Sequence, residues 1–153
     1  MIRQQLPIDF HLPSIVQTLA SNNCLILQAP PGTGKTTRVA PALMTEMNAW
    51  SVAGEGAGGA VTSELLLIQP RRIAARAAAA RIAQELGCRV GEEVGYQVRF
   101  DARLGKSTRL ICMTPGILLR RLQRDALLER VALVLLDEFH ERSLEVDLLL
   151  GML

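Results

Sequence analysis

Two clusters in this sequence have the residue types and spacing that phosphate chemistry requires. The first is Ala29-Pro30-Pro31-Gly32-Thr33-Gly34-Lys35-Thr36, followed by Thr37. Glycines at 32 and 34 let a backbone turn tightly and aim several N–H groups at one anion. A helix opening directly behind adds its N-terminal dipole to the same anion. Lys35 supplies a point charge for outer phosphates, and the Thr36 hydroxyl supplies a hard oxygen for Mg2+. The second cluster is Asp137-Glu138, which closes the apolar run Val131–Leu136. An Asp in that position holds magnesium, and the Glu beside it takes a proton from an attacking water.

Each cluster has a blander reading. A glycine-rich turn can contain Gly-Lys-Thr by accident, and acids often cap helices. Their placement argues otherwise. Cys24–Gln28 precedes the first cluster as a short apolar run, and Lys35–Met47 follows it with helical character. Strand, loop and helix in that order are what a P-loop needs. An acidic pair at a strand end well downstream is the expected complement.

The elements that must position these residues alternate. Cys24–Gln28, Leu65–Gln69, Arg109–Met113 and Val131–Leu136 read as strands buried on both faces, as a helix-covered parallel sheet demands. Lys35–Met47, Arg72–Leu86, Pro115–Arg124 and Leu144 onward read as helices. Gly87 supplies a C-terminal stop for the second, while Thr114 and Pro115 supply the cap and first turn of the third. The order predicts an α/β fold with a mostly parallel sheet and helices on both faces. The glycine-rich stretch Asn48–Ser63 reads as a flexible loop, and the alternating Val94–Phe100 as a half-exposed extra strand or hairpin arm. Val146–Leu153 is apolar with no cap or polar tail, which reads as a longer chain cut short at its C-terminal end.

Composition narrows the class. The chain has 153 residues, 49% of them hydrophobic, which allows one domain with a real core and excludes global disorder. The net charge of +2 is too small to argue for nucleic acid by itself. Among the 17 basic residues only Lys35 and Lys106 are lysines. The rest are arginine, whose planar fork suits phosphate, although a GC-rich genome explains the bias as well. Three widely spaced cysteines with no CxxC pair fit reduced thiols rather than a disulfide frame or a zinc site. No run approaches the ~20 apolar residues of a membrane span, and no signal sequence opens the chain, so a cytoplasmic location is expected.

Asp137-Glu138-Phe139-His140-Glu141-Arg142-Ser143-Leu144 resembles motif II of the DEAH-box superfamily 2 helicases. Gln69–Ala75 (QPRRIAA), Val94–Phe100 (VGYQVRF) and Thr114–Arg120 (TPGILLR) resemble three further segments of that family, in the same order. The DEFH spelling and the Ala-Pro-Pro-Gly loop are similar to the bacterial HrpB-type ATP-dependent helicases. The resemblance covers the chain from about Leu6 onward.

It implies a RecA-like P-loop NTPase domain over 1–153, the first of two such domains in an ATP-dependent helicase. It implies ATP and Mg2+ as cofactors, and single-stranded RNA or DNA as partner, RNA being the expected substrate. Ala29, Pro30, Pro31, Gly32, Thr33, Gly34, Lys35, Thr36 and Thr37 would wrap the nucleotide, with Thr36 and Asp137 on the metal. Glu138 would be the general base, and His140 would link the nucleotide and nucleic-acid sides. Arg71, Arg72, Thr114 and Gly116 would hold the strand's backbone. Arginine fingers would come from the second RecA-like domain, so hydrolysis by this part alone would be weak. Phe139, standing where the family has Ala, reads as a packing change. His11 reads as a surface or cap residue, and Arg76 and Arg81 fit either the same groove or a helix's wet face. Trp50 and Tyr96 could stack on bases, with no spacing to support Trp50. Another P-loop phosphotransferase, a nucleotide or small-molecule kinase, and a non-catalytic nucleotide-binding module are the rivals. The kinase lacks a reason for Glu-Arg-Ser after the acids, and the module has no use for Lys35, Thr36, Asp137 and Glu138 together.

Overall fold

The computed structural model describes residues 5–53 and 63–153, with only the backbone of 48–53. They fall into two compact units, Met1–Ala60 and Val61–Leu153.

In the first unit a 3-10 turn, Pro7–His11, leads into α1, Leu12–Ser21. A widened helical turn, Lys35–Val39, leads into α2, Ala40–Ala53. The widening has a cause at Pro41, which lacks an N–H and crowds the carbonyl four residues back, so a regular turn there is disfavoured. Ile8, Ile15, Val39, Ala40, Leu43, Met44 and Met47 form this unit's buried apolar set.

Two expectations change here. Cys24–Gln28 forms no strand, and Ile26 is 90% exposed. A strand exists only through its ladder partners, and apolar content alone does not supply one. The loop expected over 48–63 does not hold for 48–53, where α2 runs on to Ala53; the stretch 54–62 lies outside the described residues. The Trp50 side chain likewise lies outside what is described.

The second unit holds one five-stranded sheet in the order β3-β2-β4-β1-β5. Its strands are β1 (Glu64–Ile68), β2 (Val94–Val98), β3 (Asp101–Arg103), β4 (Leu110–Met113) and β5 (Val131–Leu136). All pairings are parallel except β2 with β3. That exception resolves Val94–Phe100 as a hairpin. Phe100 turns the corner at φ +68°, and a Cβ at Gly95 would run into the Arg103 carbonyl.

Alternate residues of a strand face opposite sides. On one side Leu66, Ile68, Ile111 and Met113 pack with Leu118, Leu122 and Leu149, which belong to α4 (Pro115–Leu122) and α5 (Leu144–Met152). α3 (Arg72–Leu86), absent from that cluster, packs against β2 and β4. It presents small side chains, Ala75, Ala78, Ala79 and Ala83, around Ile82. Gly87 ends α3 at φ +73°, its N–H meeting Gln84 O while Cys88 N donates to Ala83 O. That pairing satisfies two carbonyls the helix end would otherwise leave open. No helix among the described residues is long and apolar enough to cross a membrane.

Candidate nucleotide site and nucleic-acid edge

Within the first unit, backbone conformation shapes the loop 29–36. Gly32 and Gly34 sit at φ +77° and +95°, where L side chains are strained. Space differs at the two. A Cβ on Gly32 would meet nothing within 4 Å, whereas one on Gly34 would lie 2.7 Å from Leu6 Cδ1. Gly32 therefore faces an open cradle, and Gly34 is closed in by the chain behind it. Ile8 N donates to Thr33 O at 3.2 Å, and the buried Arg38 guanidinium stands 3.8 Å from Asp9. Asp9 in turn accepts from Leu6 N at 2.8 Å. Sequence spacing gave no signal for this brace behind the loop.

Lys35 Nζ donates to the carbonyls of Ala29 (2.5 Å) and Pro30 (3.0 Å), and Thr33 Oγ1 donates to Pro30 O at 2.9 Å. The ammonium lies folded over its own loop. Arg38 N donates to Gly34 O at 2.9 Å, so the helical turn starts directly on the last glycine.

Within the second unit, three strand ends converge. Ile68, Met113 and Leu136 lie side by side in register. Gln69–Arg72, Thr114–Gly116 and Asp137–Glu141 therefore leave the sheet at one carboxyl edge, where ligands gather in open α/β sheets. Asp137 N donates to Ile68 O at 3.0 Å, and Gln69 N donates to Met113 O at 2.8 Å. Gln69 Nε2 donates to Asp137 Oδ2 at 2.6 Å, and Glu138 N donates to Asp137 Oδ1 at 2.9 Å. Glu138 turns the backbone at φ +50°.

His140 Nε2 lies 3.4 Å from Glu138 Oε2, on a largely exposed ring. Arg71 Nη2 donates to both oxygens of Glu141, at 3.2 and 3.1 Å. Arg142 lies over the Phe139 ring, 5.5 Å from its centroid, and donates to Asp147 Oδ1 at 2.6 Å. Ser143 Oγ accepts from Val146 N at 3.2 Å and so caps α5. The segment after the acids is thus pinned at Arg142 and Ser143. Phe139, itself 39% exposed, serves as a platform for Arg142.

Thr114 O accepts from Ile117 N and Leu118 N at the start of α4. Beside it, the Glu145 carboxylate lies 3.2 Å from where a Gly116 Cβ would stand. Arg72 is exposed at the first position of α3. Arg76 pairs with Asp101 at 2.6 Å and Arg81 with Glu85 at 2.9 Å. Tyr96 Oη also donates to Asp101, and that hydrogen bond is the main cause that pushes the phenol's pKa up. Below the acids, burial pushes the Cys112 thiol to about 12, helped by the Asp137 charge, so it stays neutral.

The fold agrees with the comparisons to known proteins. The chain belongs to the DEAD/DEAH box helicase family, whose model matches residues 13–147. It is 42% identical over 151 residues to "ATP-dependent RNA helicase DEAH13" of Arabidopsis thaliana, covering 99% of this chain and 12% of that protein. It is 38% identical to the ATP-dependent RNA helicase HrpA of Borreliella burgdorferi, covering 97% of this chain and 17% of that protein. Among solved structures, the DEAH/RHA helicase HrpB of Escherichia coli matches 96% of this chain with a TM-score of 0.82 and 39% identity. The chain spans 17% of that structure's length, so it corresponds to a small part of such proteins.

Proposed function

We propose that residues 1–153 are the first RecA-like, nucleotide-binding domain of an ATP-dependent RNA helicase. The observation that carries this reading is the shared carboxyl edge. One sheet brings Arg71, Arg72, Thr114 and Gly116 to the same border as Asp137 and Glu138, in a chain that also carries the loop 29–36.

The residues present fit the groups the family uses. Gly32 leaves open space at a positive φ, as a backbone cradle for phosphate needs. Lys35 exchanges the carbonyls of Ala29 and Pro30 for the outer phosphates, and residues 33–37 point the helix start at the same anion. Thr36 and Asp137 offer the hard oxygens that magnesium prefers, one carboxylate with a hydroxyl and the substrate's own phosphates. Bound there, magnesium neutralises charge on the outer phosphates. Asp137 keeps its carboxylate fixed through two hydrogen bonds, and Glu138, next in the chain, accepts the proton of the attacking water. His140 touches Glu138 and so stands where the general base and the strand-binding edge meet. Arg71 and Arg72 hold backbone phosphates, with Thr114 and Gly116 at the adjoining helix start. Such contacts give affinity without sequence choice.

Rapid turnover in this reading needs an arginine finger from a second RecA-like domain, and such fingers contribute on the order of a thousandfold or more. The test is ATP hydrolysis by the full-length parent with and without single-stranded RNA. Strong stimulation by RNA supports the reading. Hydrolysis indifferent to RNA and to DNA removes the helicase assignment.

A further inference from the structure

The geometry points to Gln69 as a positioning residue for the Asp137 carboxylate, an inference that rests on the magnesium role proposed above for Asp137. Gln69 is one of two buried polar or charged residues among those described, at 3% exposure. It stands at the end of a strand whose other inward residues are all leucine or isoleucine. A polar side chain in such a place destabilises the fold unless it has a partner. Its partner is Asp137 Oδ2 at 2.6 Å, a short, charge-assisted contact. The orientation of the amide follows from chemistry, since turning its oxygen to a carboxylate would set two acceptors against each other.

Both ends of this contact are anchored. Gln69 is held through its N–H to Met113 O in β4, and Asp137 through its N–H to Ile68 O in β1. The terminal torsion of an Asp is otherwise broad and roughly two-fold. With Gln69 on Oδ2 and the Glu138 N–H on Oδ1, that freedom is removed. Residue type matters here. Lysine or arginine would hold the carboxylate equally well but would add a positive charge in competition with a cation. Glutamine orients it and leaves its charge in place. Partners of this outer kind typically change metal affinity by about 10–100-fold when removed.

The experiment uses the full-length parent and a fluorescent, non-hydrolysable ATP analogue, titrated with Mg2+. Gln69→Met keeps the length and volume of the side chain and drops the donor. The expected result is a rise of about tenfold in the Mg2+ concentration for half-maximal binding, with metal-free binding of the analogue unchanged. In an Asp137→Asn background, Gln69→Met adds no further loss. An unshifted Mg2+ requirement overturns the inference, and so does an effect that persists without the Asp137 carboxylate. Gln69→Leu, also close in volume and without a donor or a charge, repeats the test by a second route. Unfolding of both variants by circular dichroism marks Gln69 as purely structural and also overturns it. A wild-type protein whose nucleotide binding ignores Mg2+ refutes the parent reading instead, and that is seen before any variant is made.

Discussion

In the loop 29–36 the backbone does the shaping. Two glycines at positive φ, the loop's own carbonyls and the helix start behind them define the cradle, and the one long side chain, Lys35, lies folded over it. In the turn 137–143 side chains do the shaping. Gln69 fixes Asp137, His140 reaches Glu138, Arg71 takes Glu141, and Arg142 with Ser143 ties the segment to α5. An anion held by N–H groups needs a conformation, which many sequences around the glycines can supply. A carboxylate that must present set oxygens needs particular neighbours, and these come from other strands. The first kind of site is written locally and the second is assembled by the sheet.

The largest effect that tests this contrast belongs to Glu138. Glu138→Gln keeps shape and removes the proton acceptor, so Mg·ATP binding stays near wild type while single-turnover hydrolysis in the full-length parent falls about 10²–10⁴-fold. Asp137→Asn instead loses affinity and rate together. Reversed behaviour of the two variants would exchange their roles.

If the acid turn is assembled by the sheet, the sheet must be intact beneath it. Leu66 is wholly buried between neighbouring strands and facing helices, and Leu66→Ala is expected to lower unfolding stability by about 2–5 kcal/mol. Chemical denaturation measures this, and a loss well below 1 kcal/mol would show that this core is not packed as described.

For the loop, Lys35→Ala removes the charge and leaves the glycine conformations. ATP binding should weaken by about 1.5–3 kcal/mol, the range for a charge-assisted contact. AMP binding should change far less, because the outer phosphates are missing. Equal losses in a calorimetric titration would place Lys35 elsewhere.

The smallest effect concerns the far end of the acid turn. Glu141→Gln frees Arg71 from an exposed carboxylate, a contact that contributes little on a surface. Single-stranded RNA should bind the variant a few-fold more tightly by fluorescence anisotropy. Weaker binding would mean that Glu141 orients Arg71 for the strand rather than occupying it.

These differences in construction also explain what the sequence made legible. Several local features were readable. Strand β5, the α3 boundaries, the Gly87 stop and the Thr114-Pro115 start stand where periodicity and caps put them. The loop glycines take the positive φ their type suggests. Contacts between distant segments were not readable. Gln69 was visible as the polar residue that closes an apolar strand and opens the QPRRIAA segment, but nothing in its spacing named Asp137, 68 positions away. The brace of Asp9 on Arg38 was hidden for the same reason. Cys24–Gln28 failed the other way, because apolar residues nominate a strand but hydrogen-bond partners make one. The antiparallel β2–β3 pair hung on Phe100 adopting a positive φ, which no pattern assigns to phenylalanine.

The pair of Arg71 with Glu141 also bears on how ionic strength would be read. A single strand gives up about 0.7 of a condensed counterion for each phosphate that a protein cation neutralises, and the slope of affinity against salt is commonly taken to count such contacts. In the strand contact proposed above, Arg71 would not arrive as a bare cation. It would leave a carboxylate behind, and that carboxylate would gather ions from solution as the strand shed them. The two fluxes oppose each other, so a salt titration of the wild-type parent would count fewer phosphates than the protein touches. Glu141→Gln, by removing the internal counterion, should steepen that slope toward the true number.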